Sequence, residues 1–423
     1  MNLLSFFLLG LALLLILSFA KKGTDIFSPA RLFSIVWLFL IGLSLLKLSR
    51  YQFEWSWFSW LVIFTTIFSF LLGTFVVYVI NFNSRVNSIS FIRVIQSEYY
   101  SINTYSIFKV ILLLFLAYII SYIVIYLVVG FIPAFTPRPN LVRAKWGMFG
   151  FGLLIHLTPI ILFLAIVFWM RYKNLGRKII VGLLFLITFG TFFLLYQRFS
   201  LVFGMLLAFV YLYYGSKYVT LKNFLVFIVP LIAIIFGLST IREGQLFIIY
   251  LHYLSQMKFP VKYAIFTEPY MYLVMNIENF AYAIEKLKFH TYGLYSFDFL
   301  FALSGLKHFL KEYFGITDFP ALRSVFYNTY TLFFVYYRDF GLIGSFIFPF
   351  LIGMIASHFY YYMRRFPNIH TISFYGMWVC AILFSFFVPL LSWLHFVFDM
   401  FVVYFSTKYI HLKSSYKPME IKI

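Results

Sequence analysis

Residues 57–80 read WFSWLVIFTTIFSFLLGTFVVYVI, and none of them is charged. A helix needs about 20 apolar residues to cross a bilayer, so this stretch alone decides the class of fold. Runs of the same kind recur at 3–20, 32–46, 110–130, 150–170, 179–197, 199–216, 223–240, 340–363, 371–388 and 391–407. The expectation is an all-α polytopic membrane protein with about 11 transmembrane helices. The run 32–46 is short, and Arg31 and Lys47 flank it where they can snorkel to both interfaces. The stretch 366–398 is too long for one span, and Pro389 provides the break.

The composition agrees. The chain has 423 residues, of which 63% are hydrophobic, 24% aromatic and only 11% charged. Soluble domains carry about 25% charged residues. The net charge of +20 comes from basic residues scattered between apolar runs. That pattern is one of loop charges orienting membrane helices, and no nucleic-acid partner is expected. Cys380 is the only cysteine and lies inside an apolar run, which excludes disulfides and cysteine metal sites. The first run lacks a basic segment before it and is read as helix 1 rather than a signal.

Assigning alternate loops to alternate sides places 18 Lys and Arg on one side and 6 in the short loops of the other. The richer side is the cytoplasm, so the C-terminus lies inside. The segmentation is then 1–240 for helices 1–8, 241–339 for one long external loop, 340–410 for helices 9–11, and 411–423 for a cytoplasmic tail. The long periplasmic loop between helices 8 and 9 holds eight of the thirteen acids. It also holds PYMYLVMNIENFAYAIEKLKF, residues 269–289, in which Met271, Val274, Ile277, Ala281, Ile284 and Leu287 recur at helical spacing. Pro269 suits its first turn, and the segment predicts an amphipathic helix at the membrane interface or packed on the bundle. FLFALSGLKHFLKEYFG, residues 299–315, predicts a second.

Positive charge on the outer face runs against the orientation bias, so the outer arginines are the leading site candidates. These are Arg198 in LLYQRFSLVFG, Arg242 in STIREGQ, Arg323 in FPALRSVFYN, Arg338 in VYYRDFG, and Arg143 beside Arg138 and Lys145 in TPRPNLVRAKWG. Guanidinium forks match phosphate oxygens two at a time, and a ligand carrying two phosphates at a bilayer surface is a lipid pyrophosphate. The plain alternative for each is a snorkelling residue or an ion-pair partner, which is the preferred reading of Lys47 and Arg50. Candidate acid–base groups are Glu268, His290 and Asp339, with Glu243 beside Arg242. Asp399 and His156 sit inside apolar runs, Asp399 as a supporting partner for an arginine or a proton-relay group. There is no phosphate-cradling glycine motif, no HExxH and no acidic pair in the first outer loop. That last absence argues against polyprenyl-phosphate sugar transferases that rely on such a pair. The 34 Tyr and 8 Trp suit sugar stacking, but such residues also populate membrane interfaces.

The segment NTYTLFFVYYRDFGLIGSFIFPFLIGMIASHFYYYMRR, residues 328–365, resembles the C-terminal signature of Wzy-type oligosaccharide repeat-unit polymerases of O-antigen and capsular polysaccharide. The matching positions are Asn328, Tyr330, Thr331, Asp339, Phe340, Gly341, Gly344 and Gly353, followed by Arg364 and Arg365. FSPARLFSIVWLFLIGLSLLKL, from residue 27, and YQRFSLVFGMLLAFV, from residue 196, also look like that family. The related O-antigen ligases share the architecture and remain close competitors. The resemblance implies a glycosyltransferase of lipopolysaccharide or capsule biosynthesis that needs neither metal nor cofactor. It would work at the outer leaflet of the bacterial inner membrane, with the active site facing the periplasm. Its partners would be undecaprenyl-pyrophosphate-linked glycans and membrane lipids, with a chain-length regulator as a further candidate. A flippase or transporter is the alternative of another class. It would call for charges deep in several helices and an internal repeat; here intramembrane charge is nearly confined to Asp399.

Overall fold

The computed structural model describes residues 3–21, 23–197, 199–216, 245–317 and 320–416. Its principal helices are α1 (Leu3–Leu17), α2 (Pro29–Ser44), α3 (Trp57–Asn81), α4 (Thr104–Val129), α5 (Thr158–Arg171), α6 (Leu175–Phe193) and α7 (Phe199–Gly215). They continue as α8 (Gln245–Leu254), α9 (Thr267–Lys286), α10 (Leu306–Tyr313), α11 (Phe334–Arg365), α12 (Ile369–Leu383) and α13 (Leu394–Leu412). Among the described residues, five helical stretches are long and apolar enough to cross a membrane: Trp57–Asn81, Thr104–Phe135, Phe151–Arg171, Leu175–Phe193 and Phe334–Arg365. The only strands among them are two-residue pieces, Tyr100–Ser101 paired antiparallel with Ser415–Tyr416. This is a helical membrane protein. The run 223–240 expected as helix 8 lies outside the described residues.

The described chain divides into two compact units. The first takes residues up to Arg85, from 245 to Tyr361, and Ala381–Val397. Here α3 starts on a Ser56 cap, whose hydroxyl accepts the Ser59 amide at 3.2 Å. Glu285 adds a carboxylate there, accepting the Ser56 amide at 3.0 Å, where the helix dipole favours negative charge. Farther along, α3 crosses α11 with glycine facing backbone. A methyl group on Gly73 would strike the Phe350 carbonyl, and one on Gly353 would strike the Phe70 carbonyl. Small residues at both positions let the two backbones touch. The aromatic core of this unit stacks Phe33 on Phe70 with centroids 3.8 Å apart.

The second unit takes Val86 to residue 216, Tyr362–Cys380, and Phe398 to residue 416. The methyl-free face of Gly204 on α7 meets the backbone of Pro159 on α5. Two arginines close the end of α7: Arg93 Nε donates to the Tyr213 carbonyl at 2.8 Å and Arg171 to the Gly215 carbonyl at 2.9 Å. Cations at a helix C-terminus satisfy its orphan carbonyls and its dipole.

Several helix boundaries differ from the hydropathy reading. The run 150–170 is interrupted at His156–Leu157, next to Pro159. The amphipathic run 299–315 is two helices, Asp298–Leu303 and α10, separated at Ser304–Gly305. The helix expected to begin at residue 340 starts at Phe334 and bends at Gly341, whose φ of 59° and ψ of −142° suit only glycine. The break in 366–398 begins after Leu383, ahead of Pro389. Ser385 in that break takes the Trp37 indole N–H at 3.1 Å and the Leu332 amide at 2.6 Å.

Candidate functional site

The first unit gathers its polar groups around α9. This helix buries Met271, Val274, Ile277, Ala281 and Ile284, as the spacing predicts, but it also buries Asn276, Glu278 and Asn279. Glu278 is fully buried. Its carboxylate accepts from Ser44 Oγ at 2.5 Å, Trp55 Nε1 at 3.0 Å, Lys47 Nζ at 3.1 Å and Gln52 Nε2 at 3.4 Å. All four donors come from the end of α2 and the loop leading to α3. Lys47 is therefore an ion-pair partner rather than a snorkelling residue, and its ammonium also donates to the Phe53 carbonyl. Tyr270 joins the same node. Its hydroxyl lies 2.9 Å from Gln52 Oε1 and receives the Leu48 amide at 3.2 Å. Burial pushes the Tyr270 phenol up to about 12, so it stays a proton donor at neutral pH.

One residue further along α9, Asn279 clamps the loop that follows α10. Its amide donates to the Tyr327 carbonyl at 2.6 Å and the Thr329 carbonyl at 3.0 Å, and its oxygen accepts the Arg323 amide at 3.0 Å. This clamp places the Arg323 side chain beside Phe53 and Tyr282, whose rings pack edge to face with centroids 5.8 Å apart. The guanidinium carbon lies 5.1 Å from the Phe53 centroid and 5.2 Å from that of Tyr282. Arg323 Nε donates to the Tyr51 carbonyl at 2.9 Å. Among the described residues no carboxylate pairs with Arg323, and its two terminal nitrogens keep their donors for something else. Aromatic faces hold a guanidinium with about 0.5–1 kcal/mol each at such exposure. The result is a half-buried, oriented cation whose outer edge is open. Lys286 also lies over Tyr282, 5.8 Å from its centroid.

The Arg338–Asp339 pair is built differently. Arg338 is 1% exposed and its guanidinium carbon lies over the Tyr295 ring, 3.7 Å from the centroid, while the guanidinium donates to the Thr317 carbonyl. Asp339 is fully buried. Its carboxylate accepts the amides of Tyr295 at 3.1 Å and Ser296 at 2.5 Å and the Thr291 hydroxyl. Asp339 therefore caps the loop before Asp298–Leu303. The backbone follows: the Thr291 and Tyr292 amides donate to the carbonyls of Arg338 and Asp339. His290 Nδ1 lies 3.2 Å from the Arg338 carbonyl. A carbonyl only accepts, so in the neutral ring Nδ1 carries the proton and Nε2 keeps its lone pair. Nε2 lies against Gly341, where a methyl group would approach to 3.0 Å.

Of the sequence-derived candidates, the structure brings together Arg338, Asp339 and His290 at the end of α9, and Arg323 over its C-terminal half. Glu268 is in the first turn of α9, about 30 Å from His290 along the 20-residue helix. Arg143 belongs to the second unit, where it is exposed and donates to the Tyr196 carbonyl at 3.0 Å. Arg198, Arg242 and Glu243 lie outside the described residues. Asp399 is buried on the inner stripe of α13 with Phe396, Val403 and Thr407, and one of its oxygens meets no donor among the described residues. Glu278 and Asn279 are the polar residues the spacing argument passed over. Their signal was position: Glu278 follows Val274 by four residues and precedes Ala281 by three, which puts a carboxylate on the buried stripe.

No family model, curated protein or solved structure matches this chain. The functional reading therefore rests on the residues themselves and on the resemblance of the 328–365 segment.

Proposed function

We propose that the chain is a membrane glycosyltransferase that polymerises undecaprenyl-pyrophosphate-linked oligosaccharide repeat units. In this reading it spans the bacterial inner membrane about 11 times and acts at the outer leaflet without a metal. The observation that carries the proposal is Arg323, an arginine of the long outer loop braced by Phe53, Tyr282 and the Tyr51 carbonyl with its terminal nitrogens unspent. Such a guanidinium can hold two phosphate oxygens with little further ordering.

Arg323 holds the pyrophosphate as negative charge grows on it; Arg198 and Arg242 are further candidates from the sequence. His290 Nε2 accepts the proton of an acceptor hydroxyl. That oxygen forms a bond to the anomeric carbon while the bond from this carbon to the pyrophosphate oxygen breaks. The electron pair leaves with undecaprenyl pyrophosphate, and one displacement inverts the anomeric centre. Asp339, with its lone pairs committed to amides, positions the His290 loop rather than taking a proton.

The test uses cells that still make single lipid-linked repeat units. Arg323→Ala, Arg198→Ala and Arg242→Ala should abolish long polymer and leave single units. Normal polymer from all three removes the assignment. A deletion strain accumulating unattached polymer, instead of unpolymerised units, would make the protein an O-antigen ligase.

A further inference from the structure

Fifteen residues separate Ser59, at the Glu278 end of α3, from Thr74, so the far end of that helix lies about 22 Å away. There the first unit contains a cavity of about 370 Å³, bounded by the first turn of α2, the last turns of α3, and α11. Leu71 and Phe75 make its apolar wall, and Ser28, Tyr78 and Ser357 bring hydroxyls to it. Phe75 and Tyr78 are 57% and 46% exposed on a helix long and apolar enough to span a membrane, so the cavity adjoins a lipid-facing surface.

Its polar end is unsatisfied in three ways. Ser357 is 3% exposed, lines the cavity, and makes no hydrogen bond among the described residues. Ser28 stands at the N-cap of α2 but its side chain does not cap the helix. The first backbone bond of α2 is from the Leu32 amide to the Ser28 carbonyl, at 2.9 Å. The Ala30 and Arg31 amides therefore have no acceptor among the described residues. A 16-residue helix presents about half a positive charge at such an end. The nearest acid in sequence, Asp25, is turned onto the Phe27 amide at 3.0 Å. The site offers donors and positive potential beside an apolar slot.

We propose that this cavity binds the phosphate of an anionic phospholipid. The phosphate sits at the α2 N-terminus between Ser28 and Ser357, and an acyl chain lies along Phe75. The assignment is independent of the glycosyltransferase reading, because it uses the opposite end of α3 and none of the same residues. A free phosphate would meet the same donors but would leave the apolar wall bare.

The full chain, purified in detergent and stripped of lipid, is titrated with phosphatidylglycerol or with phosphatidylcholine of the same chains, and bound lipid is read by native mass spectrometry. Wild type should retain phosphatidylglycerol in preference to phosphatidylcholine. Ser28→Ala/Ser357→Ala should lower phosphatidylglycerol retention about tenfold and leave phosphatidylcholine unchanged. Equal retention of the two lipids, or an unchanged double variant, overturns the site. Displacement by equimolar inorganic phosphate overturns the lipid in favour of a free anion. If the double variant does not fold, Ser28→Ala at its half-buried position carries the same comparison, with a several-fold loss expected and no loss overturning the proposal.

Discussion

Arg323 and Arg338 come from the same 241–339 segment, fifteen residues apart, and the fold uses them in opposite ways. Arg338 is inside: it covers Tyr295, feeds the Thr317 carbonyl, and helps fasten the 290–296 loop to the bend at Gly341. Arg323 rests against the Phe53–Tyr282 pair and the Tyr51 carbonyl and is only half-buried. Both are arginines beside aromatic rings, so residue type does not separate them. The difference lies in burial: Arg338 is 1% exposed, whereas Arg323 is half-buried and reaches solvent. A guanidinium sealed from solvent stabilises the protein, whereas one half-buried against rings and a single carbonyl remains able to bind an anion.

That contrast can be broken by substitution. The largest effect is expected from Asp339→Ala, which leaves the Tyr295 and Ser296 amides and the Thr291 hydroxyl without an acceptor. At about 1–3 kcal/mol for each stranded donor, unfolding in detergent should show a loss near 4 kcal/mol. A loss below about 1 kcal/mol would mean the bend is not held as described. On the proposed function, Arg323→Ala should lower transfer of lipid-linked repeats about 100-fold, the scale of losing one charge-stabilising donor, while stability falls by about 1–3 kcal/mol and the protein stays folded. Arg323→Lys should not restore it, because an ammonium lacks the planar fork. A variant that unfolds, instead of folding without activity, would place Arg323 in the same class as Arg338.

Smaller effects sharpen the comparison. Gly341→Ala forces a side chain into a backbone region that costs about 1–3 kcal/mol and pushes on His290. Its stability loss should come with an activity loss, measured on the protein that remains folded. Tyr282→Leu removes one of the two rings beside Arg323, worth about 0.5–1 kcal/mol. Activity should fall a few-fold with an unchanged melting temperature. No change in activity would show that Phe53 and Tyr51 alone orient the guanidinium.

Much of the scaffold was legible along the chain. The apolar run 57–80 is α3, and the spacing of Met271 through Ile284 is the buried stripe of α9. Where boundaries shifted, the cause was backbone chemistry invisible to hydropathy, such as the glycine bend in α11 and the serine-bearing break before Pro389. The pairings around the site were not legible. Lys47 finds Glu278 across 231 positions, and Arg323 finds Tyr51 across 272. Periodicity places Glu278 on an inner face but cannot name the donors waiting there.

Hydropathy is a local property, so the amino-acid order by itself made this an α-helical membrane protein and marked the arginines between its apolar runs as candidates. Whether each arginine is consumed or available depends on carbonyls and rings brought from distant segments. Only the tertiary structure decided that, because a guanidinium's access to an anion is set by which distant segments pack over it.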